Sequence, residues 1–264
     1  MEFWLLYLAT GLFAGFLAGL LGVGGGLVIV PALVFIFAAQ SFPAEHIMHI
    51  ALGTSLASIM FTSLSSLRAH HAHGAVVWRV VRGISPGIVA GTLLGTLLAA
   101  QLSTFFLKTF FIGFIYYVAA QMLLNIKPKP SRQLPGAAGL FAAGGVIGGV
   151  SSLVGIGGGT LSVPFMTWCN LKMHQAIGTS AAIGFPIAAA GALGFLLNGL
   201  AVPGLPPYSW GFVYLPALAG LVLASVLTAP FGARLAHRLP VAKLKKIFAA
   251  LLLVLGTRML VSLW

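Results

Sequence analysis

Apolar segments of about twenty residues recur along the whole 264-residue chain, and each is long enough to cross the ~30 Å hydrocarbon core of a bilayer as a helix. Only 6% of the residues are charged and 59% are hydrophobic. A soluble domain carries roughly 25% charged residues. The sequence therefore predicts an all-α polytopic membrane protein that forms one integrated membrane domain.

The charges are almost all positive, with 14 Lys and Arg against 2 carboxylates, Glu2 and Glu45. The positive-inside rule of membrane proteins accounts for this excess, so we expect no nucleic acid partner. Transporters of cations and proton relays usually keep an Asp or Glu inside the membrane. No carboxylate lies deep in an apolar segment here, which argues against a cation substrate and leaves an anion. Cys169 is the only cysteine, which excludes an intrachain disulfide and a cysteine-based metal site, and we expect it to be buried.

Two motifs occur twice, in the same order. The segment "GLLGVGGGLVIVPAL" at 19–33 returns as "SLVGIGGGTLSVPFM" at 152–166, with seven of fifteen positions identical. "HIALGTS" at 49–55 returns as "HQAIGTS" at 174–180. The chain is therefore predicted to consist of two related membrane repeats joined by a basic, Pro-rich cytoplasmic linker. The first repeat, the linker and the second repeat are placed at 1–125, 126–135 and 136–264.

Each repeat is predicted to contain a glycine-interrupted helical hairpin followed by three transmembrane helices. The hairpins cover 3–39 and 136–171. The remaining helices are expected at 47–67, 80–101, 105–124, 176–197, 211–231 and 244–263. The arm of the second hairpin after its glycines has only about twelve residues, or ~18 Å of helix at 1.5 Å per residue. We therefore favour a half-helix that begins inside the membrane on at least one arm of a hairpin, with a hairpin of two full spans as the alternative.

The loop charges predict that the repeats are inverted. The loop at 68–82 carries three arginines and three histidines, whereas its counterpart at 198–211 has no charge. The bias reverses in the next pair, with one lysine at 101–108 and five basic residues at 234–246. Placing the basic loops in the cytoplasm puts equivalent loops on opposite sides, as in many secondary transporters. We expect a bacterial inner-membrane protein with both termini in the periplasm.

The glycine runs, Gly24-Gly25-Gly26 and Gly157-Gly158-Gly159, are candidate anion sites. Consecutive glycines free backbone N–H groups, and a helix that begins there points its positive dipole end at the break. Non-helical backbone at membrane depth survives only where it lines a cavity or is buried in protein. The alternative is that the glycines only allow tight helix packing. Pro31 and Pro164, five residues further on, are expected to break or kink the short helices.

The repeated "GTS" adds four hydroxyl candidates for substrate binding, Thr54, Ser55, Thr179 and Ser180. Such hydroxyls donate to an anion or, alternatively, bond back to the i−4 carbonyl. The second repeat also has Thr160 directly after its glycines, where the first has Leu27, so the two half-sites are unequal.

The histidines are considered separately. His49 and His174 stand one helical turn before each "GTS" and are candidates for gating or for a proton relay, with a purely structural role as the alternative. The run "HHAH" at 70–73 has no acid or cysteine beside it, so we expect it at the membrane interface and predict no metal site.

These motifs together resemble the sulfite exporter TauE/SafE family of membrane permeases, and the resemblance covers nearly the whole chain. It implies movement of sulfite, organosulfonates or related sulfur oxyanions across the bacterial inner membrane. The family's motifs fall on the following residues: Gly24–Gly26, Pro31, Thr54, Ser55, Gly157–Gly159, Pro164, Thr179 and Ser180.

The expected function is a secondary transporter that exports a small sulfur-containing oxyanion by alternating access, with the two breaks facing each other near the midplane. An anion channel whose continuous pore is lined by the same breaks is the alternative. An enzyme is not expected, because Ser55 and Ser180 are badly placed relative to His49 and His174 and nothing acidic would orient the imidazoles. We expect no cofactor. The expected partners are a small anion, the bilayer and protons as coupling ion, and a homo-oligomer stays open.

Overall fold

The computed structural model describes residues 2–22, 24–124, 132–236 and 241–263. The predicted linker lies outside the described residues as far as position 131. The described part contains ten helices and one short β-hairpin. Their bounds are α1 Glu2–Leu21, α2 Gly26–Ala39, α3 Ile47–Ala72, α4 Trp78–Gln101, α5 Thr104–Leu123, α6 Ala137–Val154, α7 Gly159–Trp168, α8 Met173–Gly199, β1 Ser209–Trp210, β2 Val213–Tyr214, α9 Leu215–Ala236 and α10 Val241–Val261.

Seven of the described helices are long and apolar enough to cross a membrane, namely α1, α3, α4, α5, α6, α8 and α9. The prediction of an all-α polytopic membrane protein is therefore confirmed. The two helices that follow the glycine runs are much shorter, with 14 residues in α2 and 10 in α7. At 1.5 Å per residue they are ~21 and ~15 Å long, which is too short to cross the bilayer alone.

The segment before α9 differs from the prediction. A helix was expected from residue 211, but it begins at Leu215, and residues 209–214 instead form an antiparallel hairpin. Gly211 supplies the turn with φ +52°, and the Phe212 amide donates to the carbonyl oxygen of Phe195 in α8 at 3.2 Å. Residues 209–214 are thus held in the hairpin, and α9 begins directly after it.

The two halves of the chain are intertwined. α1 makes its most extensive contacts with α9, and α4 makes its most extensive contacts with α6. By the sequence repeat, α1 corresponds to α6 and α4 to α9. The first helix of each half therefore packs against a long helix of the other half, while α3 and α8 pack against each other.

Glycines let these helix pairs approach closely. α4 has a glycine at every fourth position from Gly83 to Gly95. A Cβ on Gly91 would overlap the carbonyl oxygen of Gly145 in α6, and one on Gly19 in α1 would overlap that of Ala229 in α9. Because lipid tails are as apolar as the helices, close packing of small residues is what holds helices together in a bilayer.

The α4–α6 contact predicts a selective loss of stability. Gly91→Ala would push α4 and α6 apart, and such overpacking costs ~1–3 kcal/mol. We expect the melting temperature of the detergent-purified protein to fall by several degrees. The matched control is Gly113→Ala in α5, where an added Cβ meets nothing within 4 Å. That control should melt at or slightly above the wild-type temperature, since alanine favours helix. Equal melting of both variants would contradict the packing described here.

Candidate functional site

The helix breaks of the two halves have the same backbone geometry. α1 ends at Leu21 and α2 begins at Gly26, while α6 ends at Val154 and α7 begins at Gly159. The residues before the short helices, Gly25 and Gly158, both have φ 77°, with ψ −11° and −7°. This left-handed conformation disfavours any side chain. The glycines are therefore needed for the chain to turn and begin a second helix.

The two prolines do not end a helix. Pro31 lies inside α2 and Pro164 lies inside α7, and both helices continue for several residues beyond them. Each proline removes one intrahelical bond near the start of its helix, because it has no N–H group to donate. The predicted helix break therefore lies at the glycines before the prolines and not at Pro31 or Pro164 themselves.

The two breaks touch each other at the backbone. A Cβ on Gly24 would lie 2.9 Å from the Cα of Gly157, and one on Gly26 would overlap the carbonyl oxygen of Gly155. A cavity of about 10 Å³ adjoins this contact, and Ser63, Ser66 and Ser180 are among the residues that line it. This volume holds about one water molecule. In this conformation the space at the breaks is therefore too small for a sulfur atom with three oxygens.

The serines of the two "GTS" motifs bond across the halves. Ser55 Oγ donates to the carbonyl oxygen of Gly155 at 2.8 Å, and Ser180 Oγ donates to that of Gly22 at 2.9 Å. Gly22 and Gly155 directly follow α1 and α6 and both have φ 67°. Carbonyls at a helix end lack a partner within the helix. Each serine thus satisfies a helix end in the opposite half.

The threonines of "GTS" hold the segments that lead into α4 and α9. Thr54 Oγ1 accepts a hydrogen bond from the Tyr214 amide and Thr179 Oγ1 accepts one from the Val77 amide, both at 2.9 Å. The glycine of each motif makes room for this approach. A Cβ on Gly178 would lie 2.7 Å from the carbonyl oxygen of Ala75, and Gly53 is in the same situation beside the hairpin. The whole repeated motif therefore connects the two halves.

The second break carries two buried hydroxyls with free hydrogen-bonding capacity. Thr160 is 4% exposed and Ser151 is fully buried. Neither hydroxyl has a partner among the described residues. Ser151 Oγ lies 3.5 Å from the position of a Cβ on Gly158. Sequence reasoning singled out Thr160 but missed Ser151, although the equivalent position in the first motif is the apolar Ala18.

The structure places the two candidate histidines in different surroundings, and neither lines the cavity at the breaks. His49 is buried, and its Nε2 lies 3.1 Å from the carbonyl oxygens of both Ala99 and Leu102. His174 is exposed near the start of α8. The sequence equivalence of these two residues does not extend to their contacts.

The histidines of the "HHAH" run also differ from one another in burial. His71 and His73 are exposed, as expected for the interface, but His70 is fully buried with its Nε2 3.2 Å from the carbonyl oxygen of Gly19. No cluster of three His, Cys, Asp or Glu side chains suited to a metal occurs among the described residues. Cys169 is buried, as predicted.

Comparison with known proteins identifies the family. The profile of the family described as "Sulfite exporter TauE/SafE" matches residues 7–259. The chain belongs to this family. A "Probable membrane transporter protein" of Haemophilus influenzae is 39% identical over 259 residues, which cover 97% of this chain and 98% of that protein.

More distant relatives of this TauE/SafE protein have similar names. The "Probable membrane transporter protein YunE" of Bacillus subtilis is 28% identical over 211 residues, covering 72% of this chain and 77% of that protein. A "Probable membrane transporter protein" of Methanocaldococcus jannaschii is 24% identical over 261 residues, covering 97% and 94%. No solved structure matches the chain. The protein is thus a multi-pass membrane transporter of the TauE/SafE family.

The threonine contacts of this TauE/SafE protein predict a second stability effect. Thr54→Val keeps the shape of the side chain but leaves the partly buried Tyr214 amide without its acceptor, which costs ~1–3 kcal/mol. We expect a lower melting temperature in detergent, with partial recovery in Thr54→Ser. Thr109→Val in α5 is the control, because the Thr109 hydroxyl only bonds back to the carbonyl oxygen of Phe105. A Thr54→Val variant that melts like the wild type would argue against the docking role of "GTS".

Proposed function

We propose that this protein is a secondary transporter that exports a small sulfur-containing oxyanion, such as sulfite or an organosulfonate, across the bacterial inner membrane. The observation that carries the proposal is the contact between the two glycine breaks, at which α2 and α7 both begin. The first N–H groups of a helix have no partner within it and carry the positive end of its dipole. Two such helix starts beside one another favour an anion.

The surrounding charges and hydroxyls support an anion over a cation. The carboxylate of Glu45, the only one whose side chain the structure describes, is exposed and lies 3.5 Å from His46 at the start of α3. At the second break, the hydroxyls of Thr160 and Ser151 have no partner among the residues described and are available as donors. Hydrogen bonds to a charged group contribute about 1.5–3 kcal/mol each. The second break is therefore the stronger half-site in this proposal.

The "GTS" hydroxyls complete the proposed site when it opens. Ser55 and Ser180 now donate to glycine carbonyls, and an entering oxyanion would replace those carbonyls as the acceptor. Thr54 and Thr179 accept amide bonds and keep a hydroxyl proton with which to donate. The proposed substrate ligands are Gly24, Gly25, Gly26, Thr54, Ser55, Gly157, Gly158, Gly159, Thr160, Thr179 and Ser180.

A carrier fits this arrangement better than a channel. The cavity of about 10 Å³ at the breaks does not accommodate an oxyanion, so the substrate requires a conformational change to enter. α1 packs against α9 and α6 packs against α4, which is the exchange of partners that inverted repeats would produce. Rocking of one repeat against the other would then give alternating access. If protons are the coupling ion, His49 is a buried candidate to carry them and His174 an exposed one.

Thermal stabilisation of the purified protein by candidate ligands tests the proposed substrate class. A ligand at 100 times its Kd stabilises the folded protein by about 2.7 kcal/mol. We expect the melting temperature to rise with at least one sulfur anion from a panel of sulfite, sulfate, thiosulfate, sulfoacetate and taurine, and not with chloride or Ni²⁺. Thr160→Val should weaken the binding of that anion about tenfold or more, so that about ten times the concentration is needed for the same rise in melting temperature. Thr167→Val, in the same helix but bonded back to Val163 and Pro164, should leave it intact.

A shift with Ni²⁺ alone, or with none of the sulfur anions, would refute the proposed substrate class. In proteoliposomes, accelerated exchange of labelled substrate against unlabelled substrate on the other side indicates a carrier. Rapid electrical conductance without such exchange would support the channel instead.

A further inference from the structure

One face of α3 carries a line of buried hydroxyls. Ser55, Ser58, Thr62 and Ser66 follow one another at intervals of three or four residues, so they lie on the same side of the helix. We call these four residues the α3 hydroxyl face. Each of them is 2% exposed or less. One turn further on, the face ends at the buried His70.

The sequence repeat does not account for this face. The alignment of the two "GTS" motifs places Ile183, Ile187 and Gly191 of α8 at its last three positions. Only Ser180, the counterpart of the first position, keeps a hydroxyl. Ile183 and Ile187 are fully buried. An apolar residue thus packs well at the equivalent depth of the other half, and packing alone does not call for hydroxyls in α3.

Two of the four hydroxyls have no hydrogen-bond partner within the part of the chain that the structure describes. Ser55 donates to Gly155, and Thr62 Oγ1 lies 2.7 Å from Ser225 Oγ in α9. The hydroxyls of Ser58 and Ser66 have no hydrogen-bond partner among the described residues. Leaving a buried hydroxyl without a partner is unfavourable, and buried polar groups of this kind are normally satisfied by water or a ligand.

The face runs along the glycine breaks towards the basic end of α3, because Ser55 donates to the carbonyl oxygen of Gly155 at its first position. Ser66 lines the small cavity at Gly24 and Gly157. Near this end of α3, Arg68 is exposed, as are Arg79 and Arg82 at the start of α4. Clustered exposed cations raise the local concentration of anions. The opposite end of α3 begins beside the carboxylate of Glu45, so the charge along the helix favours anions at the arginine end.

We infer that the α3 hydroxyl face is the path along which the anion moves past the glycine breaks, to and from the basic end of the protein, with Ser58 and Ser66 as transient donors. Neutral hydroxyls suit this task, because conduction needs binding that is favourable but weak enough to release the ion. The sulfur chemistry of the anion rests on the proposed function. The path itself is tested without knowing the substrate.

Cysteine accessibility tests the path. Cys169 is the only cysteine, so Cys169→Ala gives a thiol-free background. Into it, Ser58→Cys and Ser66→Cys are introduced separately, with Ile183→Cys as the control of equal burial. Each is treated with a small sulfonate-bearing methanethiosulfonate reagent and with its trimethylammonium analogue, in right-side-out and inside-out vesicles. The modification rate of each protein cysteine is divided by the rate at which the same reagent modifies free cysteine in solution. This ratio removes the difference in intrinsic reactivity between the two reagents.

We expect the two α3 cysteines to react with the anionic reagent about tenfold or more faster than with the cationic one, and only from the arginine side. Ile183→Cys should stay unreactive. Equal protection of all three cysteines, or a preference for the cationic reagent, would overturn the path. If the cysteines react as expected but no sulfur anion stabilises the protein, the path stands and the proposed substrate falls. If a sulfur anion stabilises the protein but both cysteines are protected, the proposed substrate stands and the path falls.

Discussion

Each interrupted helix in this protein leaves a carbonyl that lipid cannot satisfy, and the serine of the opposite half satisfies it. In hydrocarbon an unpaired backbone group costs several kcal/mol, so a helix can stop inside a membrane only where protein groups replace water. Ser55 and Ser180 do this for Gly155 and Gly22 at 2.8 and 2.9 Å. Neither break is satisfied by its own half alone, so the two halves depend on each other at their centre.

These bonds between the halves also require the backbones of the two halves to approach each other closely. The glycines of "GTS" admit the segments before α4 and α9, and the glycines of α1 and α4 let these helices interlock with the other half. The result is a closed centre whose polar groups are mostly paired with each other. Among the described residues, the buried hydroxyls without a partner include Thr160 and Ser151 at the second break and Ser58 and Ser66 on α3. In our account these unpaired hydroxyls, together with the helix starts, receive the anion when the halves move.

Sequence alone predicted most of the long helices and the short helix after the second glycine run, because hydrophobic length and glycine spacing act locally. It did not predict which groups pair across the halves. His49 and His174 look equivalent in sequence, yet one is buried against α4 and the other is exposed. The hairpin before α9 depends on bonds to Thr54 and Phe195 that no local pattern reveals. Ser66 and Ser151 stand out only once burial and missing partners are known.

The central claim is that the contact between the halves opens during transport, and a reversible crosslink tests it most directly. A Cβ on Gly184 in α8 would lie 3.4 Å from the Cβ of Ser63 in α3, beside the cavity. This is close to the spacing of a disulfide, ~3.5–4.5 Å. In the Cys169→Ala background, oxidation of Ser63→Cys/Gly184→Cys should stop transport of the anion found by thermal stabilisation, and reduction should restore it. The crosslinked fraction is read on a non-reducing gel after each assay, since sulfite itself can open disulfides. Undiminished transport by the crosslinked protein would contradict the account.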